Sequence, residues 1–207
     1  MVKKELLIKE DSILDVVALL DEYDEIKNKL FKNIVEEVTF ERKEFKNCVF
    51  ENVVLIGSYM VGCEFTNCLF RNCDLSGVNL SEGRFVDVQF ENSKLEGTGL
   101  NETSFLECKF NECLGRSCNF SNAKMRTVEF ENCNLLAAYF QSNEFSKVKF
   151  EICNLERANF YGTSLNKIDF TNSNIDGIVV GIKDVKGLKV TSLQAVEISK
   201  ILGLNIV

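Results

Sequence analysis

The chain of 207 residues is 45% apolar and 27% charged, with a formal net charge of −7, which suffices for one domain with a substantial core and excludes a disordered chain. It contains no His, Pro or Trp but 17 Phe and 9 Cys, a palette so narrow that it points to a repeat. Without histidine, the side chain best suited to proton transfer near neutral pH and to metal ligation, His-dependent hydrolases and most zinc enzymes are excluded.

The first ten residues, Met1 to Glu10, lack the uninterrupted apolar core of a signal peptide, and no stretch of the sequence is long and apolar enough to span a membrane. A cytoplasmic protein is expected, and with it free thiols rather than a disulfide framework. Over residues 12–30, Ile13, Val16, Val17, Leu20, Tyr23, Ile26 and Leu30 recur at helical spacing behind Ser12 and Asp15, predicting a helical N-terminal cap within residues 1–35. The competing reading is an irregular first coil over residues 26–39. Leu30 and Val35 would extend the frame described next, and Phe31-Lys-Asn33 mimics its Phe-x-Asn corner.

From Phe40 to Val180 every fifth residue is a centre, and of these 29 positions only Gly115 is not apolar. Neither a helix nor a simple strand has that period. Two residues before the centre the side chain is small or β-branched, as in Val38, Cys48, Ser58, Thr98 and Ile168, and few of these sites hold anything large. Residues two apart on an extended segment point the same way, so both face inward while the residue between them faces out. Two residues after the centre Asn and Gly recur, as at Asn52, Gly57, Asn72, Gly97 and Asn132, and both suit a corner. Every fourth centre is Phe, giving the column Phe50, Phe70, Phe90, Phe110, Phe130, Phe150 and Phe170, so 20 residues make one coil. A neighbouring column is Leu55, Leu75, Leu95, Leu135 and Leu155, with Gly115 in place of one leucine. Leu114 or a neighbour is expected to fill the space that Gly115 leaves.

All nine cysteines occupy the small inward position. A spacing of five puts successive thiols on different sides of the rod, unlike a compact zinc pair, so packing explains them and no metal or cofactor is expected. Beyond the repeat, Thr191-Ser-Leu-Gln194 reads as a capping box, Leu193–Leu202 as a short helix and Gly203 as its stop.

The frame resembles the pentapeptide-repeat family over roughly residues 36–180. That resemblance implies an all-β solenoid, a right-handed quadrilateral β-helix with one pentapeptide per side, here over residues 36–182. Residues 187–207 also resemble the C-terminal module of the Qnr-type quinolone-resistance proteins. This implies that residues 183–207 form a dimerisation module, with Leu193, Val196, Ile201, Leu202, Leu204 and Ile206 as contacts in a two-fold homodimer. It further implies a DNA mimic that binds type II topoisomerases, DNA gyrase and topoisomerase IV, and modulates quinolone sensitivity. Two features depart from the Qnr type: the unbroken frame leaves no projecting loop, and residues 36–180 carry 14 basic and 21 acidic side chains, a mixed net of 14 − 21 = −7.

On the outside, Glu51, Glu91, Glu131 and Glu151 follow the Phe column as a candidate partner-binding acidic face, interrupted by Arg71 and flanked by Lys109 and Lys149. The plainer alternative is a solvated, solubilising surface. The acidic balance and the lack of aromatic residues interleaved with basic ones argue against direct nucleic-acid binding. A filled solenoid without an inserted loop offers no pocket for catalysis. The expected function is therefore non-enzymatic macromolecular binding. The partner is a topoisomerase on one reading; on the other, the chain is an interaction scaffold or immunity protein for a different one.

Overall fold

The computed structural model describes residues 24–203. Nine parallel strands form one continuous ladder: β1 Glu25–Lys27, β2 Leu30–Lys32, β3 Glu44–Lys46, β4 Val49–Glu51, β5 Glu64–Arg71, β6 Arg84–Glu91, β7 Ser104–Asn111, β8 Lys124–Glu131 and β9 Glu144–Glu151. From β3 onward each residue pairs with the one 20 further on, as in Phe50↔Phe70, Phe70↔Phe90 and Phe130↔Phe150. The chain is thus a four-sided β-solenoid with one pentapeptide per side. Its walls are centred on the columns that run through Phe45, Phe50, Leu55 and Met60. The first two walls carry the regular strands, and the other two are joined by single bridges such as Val54↔Asp74 and Tyr59↔Asn79.

The corners obey the frame even where the residue does not suit them. From Arg42 to Lys167 each position two after a centre takes a left-handed conformation, including Asn52 (φ 55°), Asn72 (φ 54°), Thr127 (φ 56°) and Ile152 (φ 54°). Asn and Gly reach that region at little cost, whereas a β-branched side chain crowds its own backbone there. Asparagines stacked at one corner also bond one another: Asn52 Nδ2 donates to Asn33 Oδ1 (3.1 Å), Asn72 Nδ2 to Asn52 Oδ1 (3.3 Å) and Asn92 Nδ2 to Asn72 Oδ1 (2.9 Å).

Stacked aromatic rings fill the interior. From Phe50 to Phe150 successive rings lie 4.4–4.9 Å apart and nearly parallel, matching the roughly 4.8 Å that separates hydrogen-bonded strands. A second stack runs Phe45, Phe65, Phe85, Phe105 and meets the first edge-on, the favoured geometry for perpendicular rings. Phe170 departs from the expected column. It turns to 68° from Phe150 with centroids 5.6 Å apart, closing the stack edge-on.

All nine cysteines are buried free thiols, as expected. Gly115 leaves no gap for Leu114, which is 45% exposed. The Cδ2 of Leu135 instead lies 3.0 Å from where a Cβ of residue 115 would stand, so the leucine of the next coil occupies the space.

The N-terminal end differs from the sequence reading. Residues 24–35 run as strands, following the alternative of an irregular first coil, while the helical reading of residues 12–23 lies outside the described residues. This coil is one residue shorter than the rest: Ile26 pairs with Phe45 and Phe31 with Phe50, an offset of 19. The shorter step moves the frame, so Phe31 is buried whereas Val35, expected in frame, is 73% exposed. Val35 bridges Val54, which puts Glu36 level with Leu55 and ends the leucine column there. A small apolar opening remains beside it, lined by Phe31, Ile34, Val38, Val53, Leu55 and Met60.

Candidate interaction surfaces

The second wall brings the acidic face together as a true column, because the register runs Glu51↔Arg71, Arg71↔Glu91, Glu91↔Asn111, Asn111↔Glu131 and Glu131↔Glu151. Each glutamate in it is engaged. Glu51 pairs with Lys32 at 3.1 Å, Glu91 with Arg71 Nε at 3.0 Å and Glu131 with Lys109 at 2.5 Å. Glu151 accepts from Asn172 Nδ2 at 2.8 Å. Beside them Lys149 pairs with Glu129 at 2.6 Å. The Glu131 carboxylate holds the Lys109 ammonium above its ordinary pKa, and Glu129 does the same for Lys149. Exposed ion pairs add little stability, but they cancel charge locally, so this wall presents mixed signs rather than a polyanion's field. The signal was in the sequence: a basic residue about 20 positions from an acidic one is its neighbour on the next coil.

At the C-terminal end the predicted motif forms in full. Helix α1, Ser192–Ser199, starts at a reciprocal capping box in which Gln194 N donates to Thr191 Oγ1 (3.2 Å) and Thr191 N to Gln194 Oε1 (2.8 Å). A single 3₁₀ turn, Lys200–Leu202, follows, and Gly203 stops it in the left-handed region at φ 70°. Gln194 has a second role that the sequence alone did not reveal. Its Nε2 donates to the carbonyls of Phe170 (2.7 Å) and Ser173 (2.8 Å), fastening the helix to the last coil. Of the residues expected at a dimer contact, Leu193, Val196 and Leu202 are 82%, 43% and 55% exposed, while Ile201 packs against the core. Leu204 and Ile206 lie outside the described residues.

Among the described residues no three His, Cys, Asp or Glu side chains converge as metal ligands, and no helix is long and apolar enough to cross a membrane.

The repeat is recognised independently of its geometry. A model of the pentapeptide repeat region matches residues 30–97, 63–140 and 83–155, and one of eight-copy pentapeptide repeats matches residues 153–177. The chain belongs to the pentapeptide-repeat family. No curated protein matches it. Among solved structures this pentapeptide-repeat chain is similar to trypsin-treated QnrB1, a plasmid-mediated fluoroquinolone resistance protein, at 15% identity over 86% of this chain and 99% of that one, with a TM-score of 0.42. Full-length QnrB1 gives 15% identity, 87% and 100% coverage and a TM-score of 0.30. HetL, a pentapeptide repeat protein involved in heterocyst differentiation regulation from the cyanobacterium Nostoc, gives 14% identity, 80% and 86% coverage and a TM-score of 0.28.

Proposed function

We propose that this protein has no catalytic role and acts by binding another macromolecule along the outside of its rod, as a homodimer joined at the C-terminal end. The observation that carries this reading is the filled interior. The stacked rings and the small inward side chains are almost all buried, so the groups able to meet a partner are the alternate residues on the walls. The apolar residues Leu193, Val196 and Leu202, exposed on a short capped helix at the rod's end, support the homodimer, since a two-fold contact uses the same patch on both copies. Sedimentation of the full chain against Leu193→Asp tests it, and a monomeric wild type counts against the dimer.

In the form that the Qnr-type resemblance implies, the partner is DNA gyrase and the rod stands in for a duplex, with the face bearing Glu131 and Glu151 as contact. Supercoiling by gyrase, with and without a fluoroquinolone, is measured as the protein is added. Inhibition or drug rescue that is lost in Glu131→Lys/Glu151→Lys supports this reading. The cross-coil pairing of Glu51, Glu91 and Glu131 with Lys32, Arg71 and Lys109 favours a second reading, an interaction scaffold or immunity protein with a different partner, because a neutralised column resembles phosphate poorly. Supercoiling that stays unchanged in both conditions supports that alternative.

A further inference from the structure

The fourth wall is unlike the others. At every outward position flanking its centres from Met60 to Val180, in steps of 20, the residue is uncharged, whereas the second wall carries both acids and bases, among them Glu51, Arg71, Glu91, Lys109 and Glu131. In a chain of formal net charge −7, copies repel one another, and this wall opposes close approach least, because Glu82 and Glu102 stand at its corner and not on its face. Interface cores are depleted in charged residues and enriched in tyrosine.

The middle of its order is also palindromic. Bridges set Thr39, Tyr59, Asn79, Gly99, Asn119, Tyr139, Asn159 and Val179 in one column, and the five members from Tyr59 to Tyr139 read Tyr-Asn-Gly-Asn-Tyr in either direction. In the parallel column Ser81, itself buried, and Ser121 flank Asn101 in the same way, and the symmetry ends there with Val61 and Gln141. The side chains match as well as the letters. Asn79 Oδ1 accepts from Ser81 N at 3.1 Å and Asn119 Oδ1 from Ser121 N at 3.0 Å, so both amides are held in the same orientation. Tyr59 and Tyr139 are 40% and 43% exposed, lying against the wall to the same degree.

We propose that this wall is a second self-association face, on which two copies pack antiparallel about a two-fold axis crossing the rods at the level of Gly99 and Asn101. That operation places Tyr59 opposite the second copy's Tyr139, Asn79 opposite its Asn119, and Gly99 opposite itself. Self-complementarity of this kind is what an isologous contact requires: residue i meets j while j meets i. The amide pairs can exchange hydrogen bonds, because an oxygen that already accepts one backbone N–H retains a second lone pair. Four coil steps between the two tyrosines span about 19 Å, a face at the small end of specific interfaces, so the association is concentration-dependent. It is separate from the helix at the rod's end and lets end-joined dimers pair side by side.

Because all nine native thiols are buried, an introduced surface cysteine reports alone. Gly99→Cys has room: a Cβ there meets nothing nearer than Asn79 Oδ1 at 3.4 Å. A short bis-maleimide, to which each of two thiols adds across one double bond, is applied to the full chain in the Leu193→Asp background, which removes the end contact. Gln89→Cys, outward on the second wall, is the collision control. We expect Gly99→Cys to form covalent dimer at least tenfold faster than Gln89→Cys. Adding Asn79→Asp and Asn119→Asp, which sets carboxylates opposite one another, should abolish the difference while circular dichroism stays native. In a mixture of Tyr59→Cys and Tyr139→Cys chains, the mixed dimer should exceed both like pairs. Equal rates for Gly99→Cys and Gln89→Cys overturn the proposal, as does a Tyr59→Cys chain that links to itself in preference to Tyr139→Cys.

Discussion

Ile152 is a corner residue at odds with its backbone, and replacing it by asparagine should stabilise the rod. It holds φ at 54° in a column whose neighbours include Asn132 at φ 53°. An L-residue in the left-handed region costs roughly 1–2 kcal/mol, a cost that asparagine largely escapes. Ile152 is 64% exposed, so losing its apolar contacts costs only about a third of the 1.5–3 kcal/mol that full burial is worth, roughly 0.5–1 kcal/mol. An amide at position 152 would also rejoin a broken ladder. Asn172 Nδ2 now donates to Glu151, whereas Asn72 and Asn92 each donate to the asparagine one coil below. Each restored bond in water contributes about 0.5 kcal/mol at the low end of the usual range. The net expectation is a gain of about 1 kcal/mol, or about 2–4 °C in the thermal midpoint for a chain of this size. Differential scanning calorimetry of Ile152→Asn beside Ile152→Gly separates the two contributions, since glycine relieves the strain but restores no amide. A midpoint for Ile152→Asn at or below the wild-type value would refute the argument that left-handed strain is stored at this corner.

Four further outcomes follow from the packing. Phe110 lies 4.7 Å from both Phe90 and Phe130 and is 1% exposed, so Phe110→Ala should cost about 3–5 kcal/mol in urea denaturation; an unchanged midpoint would reject the stacked core. Gly115→Leu must displace Leu135 Cδ2, 3.0 Å from the new Cβ, and should cost about 1–3 kcal/mol through overpacking, whereas a stabilised variant would mean the space is larger than it looks. Gln194→Ala leaves the carbonyls of Phe170 and Ser173 without their side-chain donor, so amide exchange in α1 should quicken by roughly tenfold or more, as expected for about 1–3 kcal/mol, while exchange in β7 is unchanged. Burial pushes the thiols of Cys63 and Cys73 up to about 11 and that of Cys108 up to about 12; a thiolate-seeking reagent should therefore leave these three unlabelled in the native chain at pH 8 and label all nine cysteines after denaturation, and early native labelling of any of the three would contradict the burial.

The fold was legible because the period of five leaves one assignment of inside and outside. Once Phe50, Phe70 and Phe90 are placed in one column, Cys48, Cys68 and Val88 can point only inward and Glu51, Arg71 and Glu91 only outward. What escaped the sequence reading lay where a single residue changes the count. Shortening the first coil by one residue shifts the frame, burying Ile26 and Phe31 in place of Leu30 and Val35. The motif Phe31-Lys-Asn33 carried that information, since its Asn belongs at a left-handed corner and takes one, at φ 54°. Phe170 could not be read either. Its stack would continue only if another ring followed, and at position 190 stands Val190, so the last phenylalanine turns edge-on to fill the end.

The candidate site was less legible than the fold because outward residues are constrained by one another and not by the core. The spacing that stacks rings inside brings outward side chains of successive coils equally close, so a column of like charges would repel at every step. A rod that imitates a duplex must bear that repulsion along a whole wall. This chain lessens it on the second wall by placing Arg71 between Glu51 and Glu91 and Lys109 within reach of Glu131, and bears it only where Glu131 stands beside Glu151. It avoids it on the fourth by placing no charge beside any centre from Met60 to Val180. Those two solutions leave a partner different things to recognise. The second wall offers salt-sensitive pairs that a charged partner must first break, screened within about 10 Å at ordinary ionic strength. The fourth offers amides, hydroxyls and tyrosine rings whose contacts salt barely touches. Recognition that persists at high salt would therefore lie on the fourth wall, and recognition that fades would lie on the second, whichever macromolecule is bound.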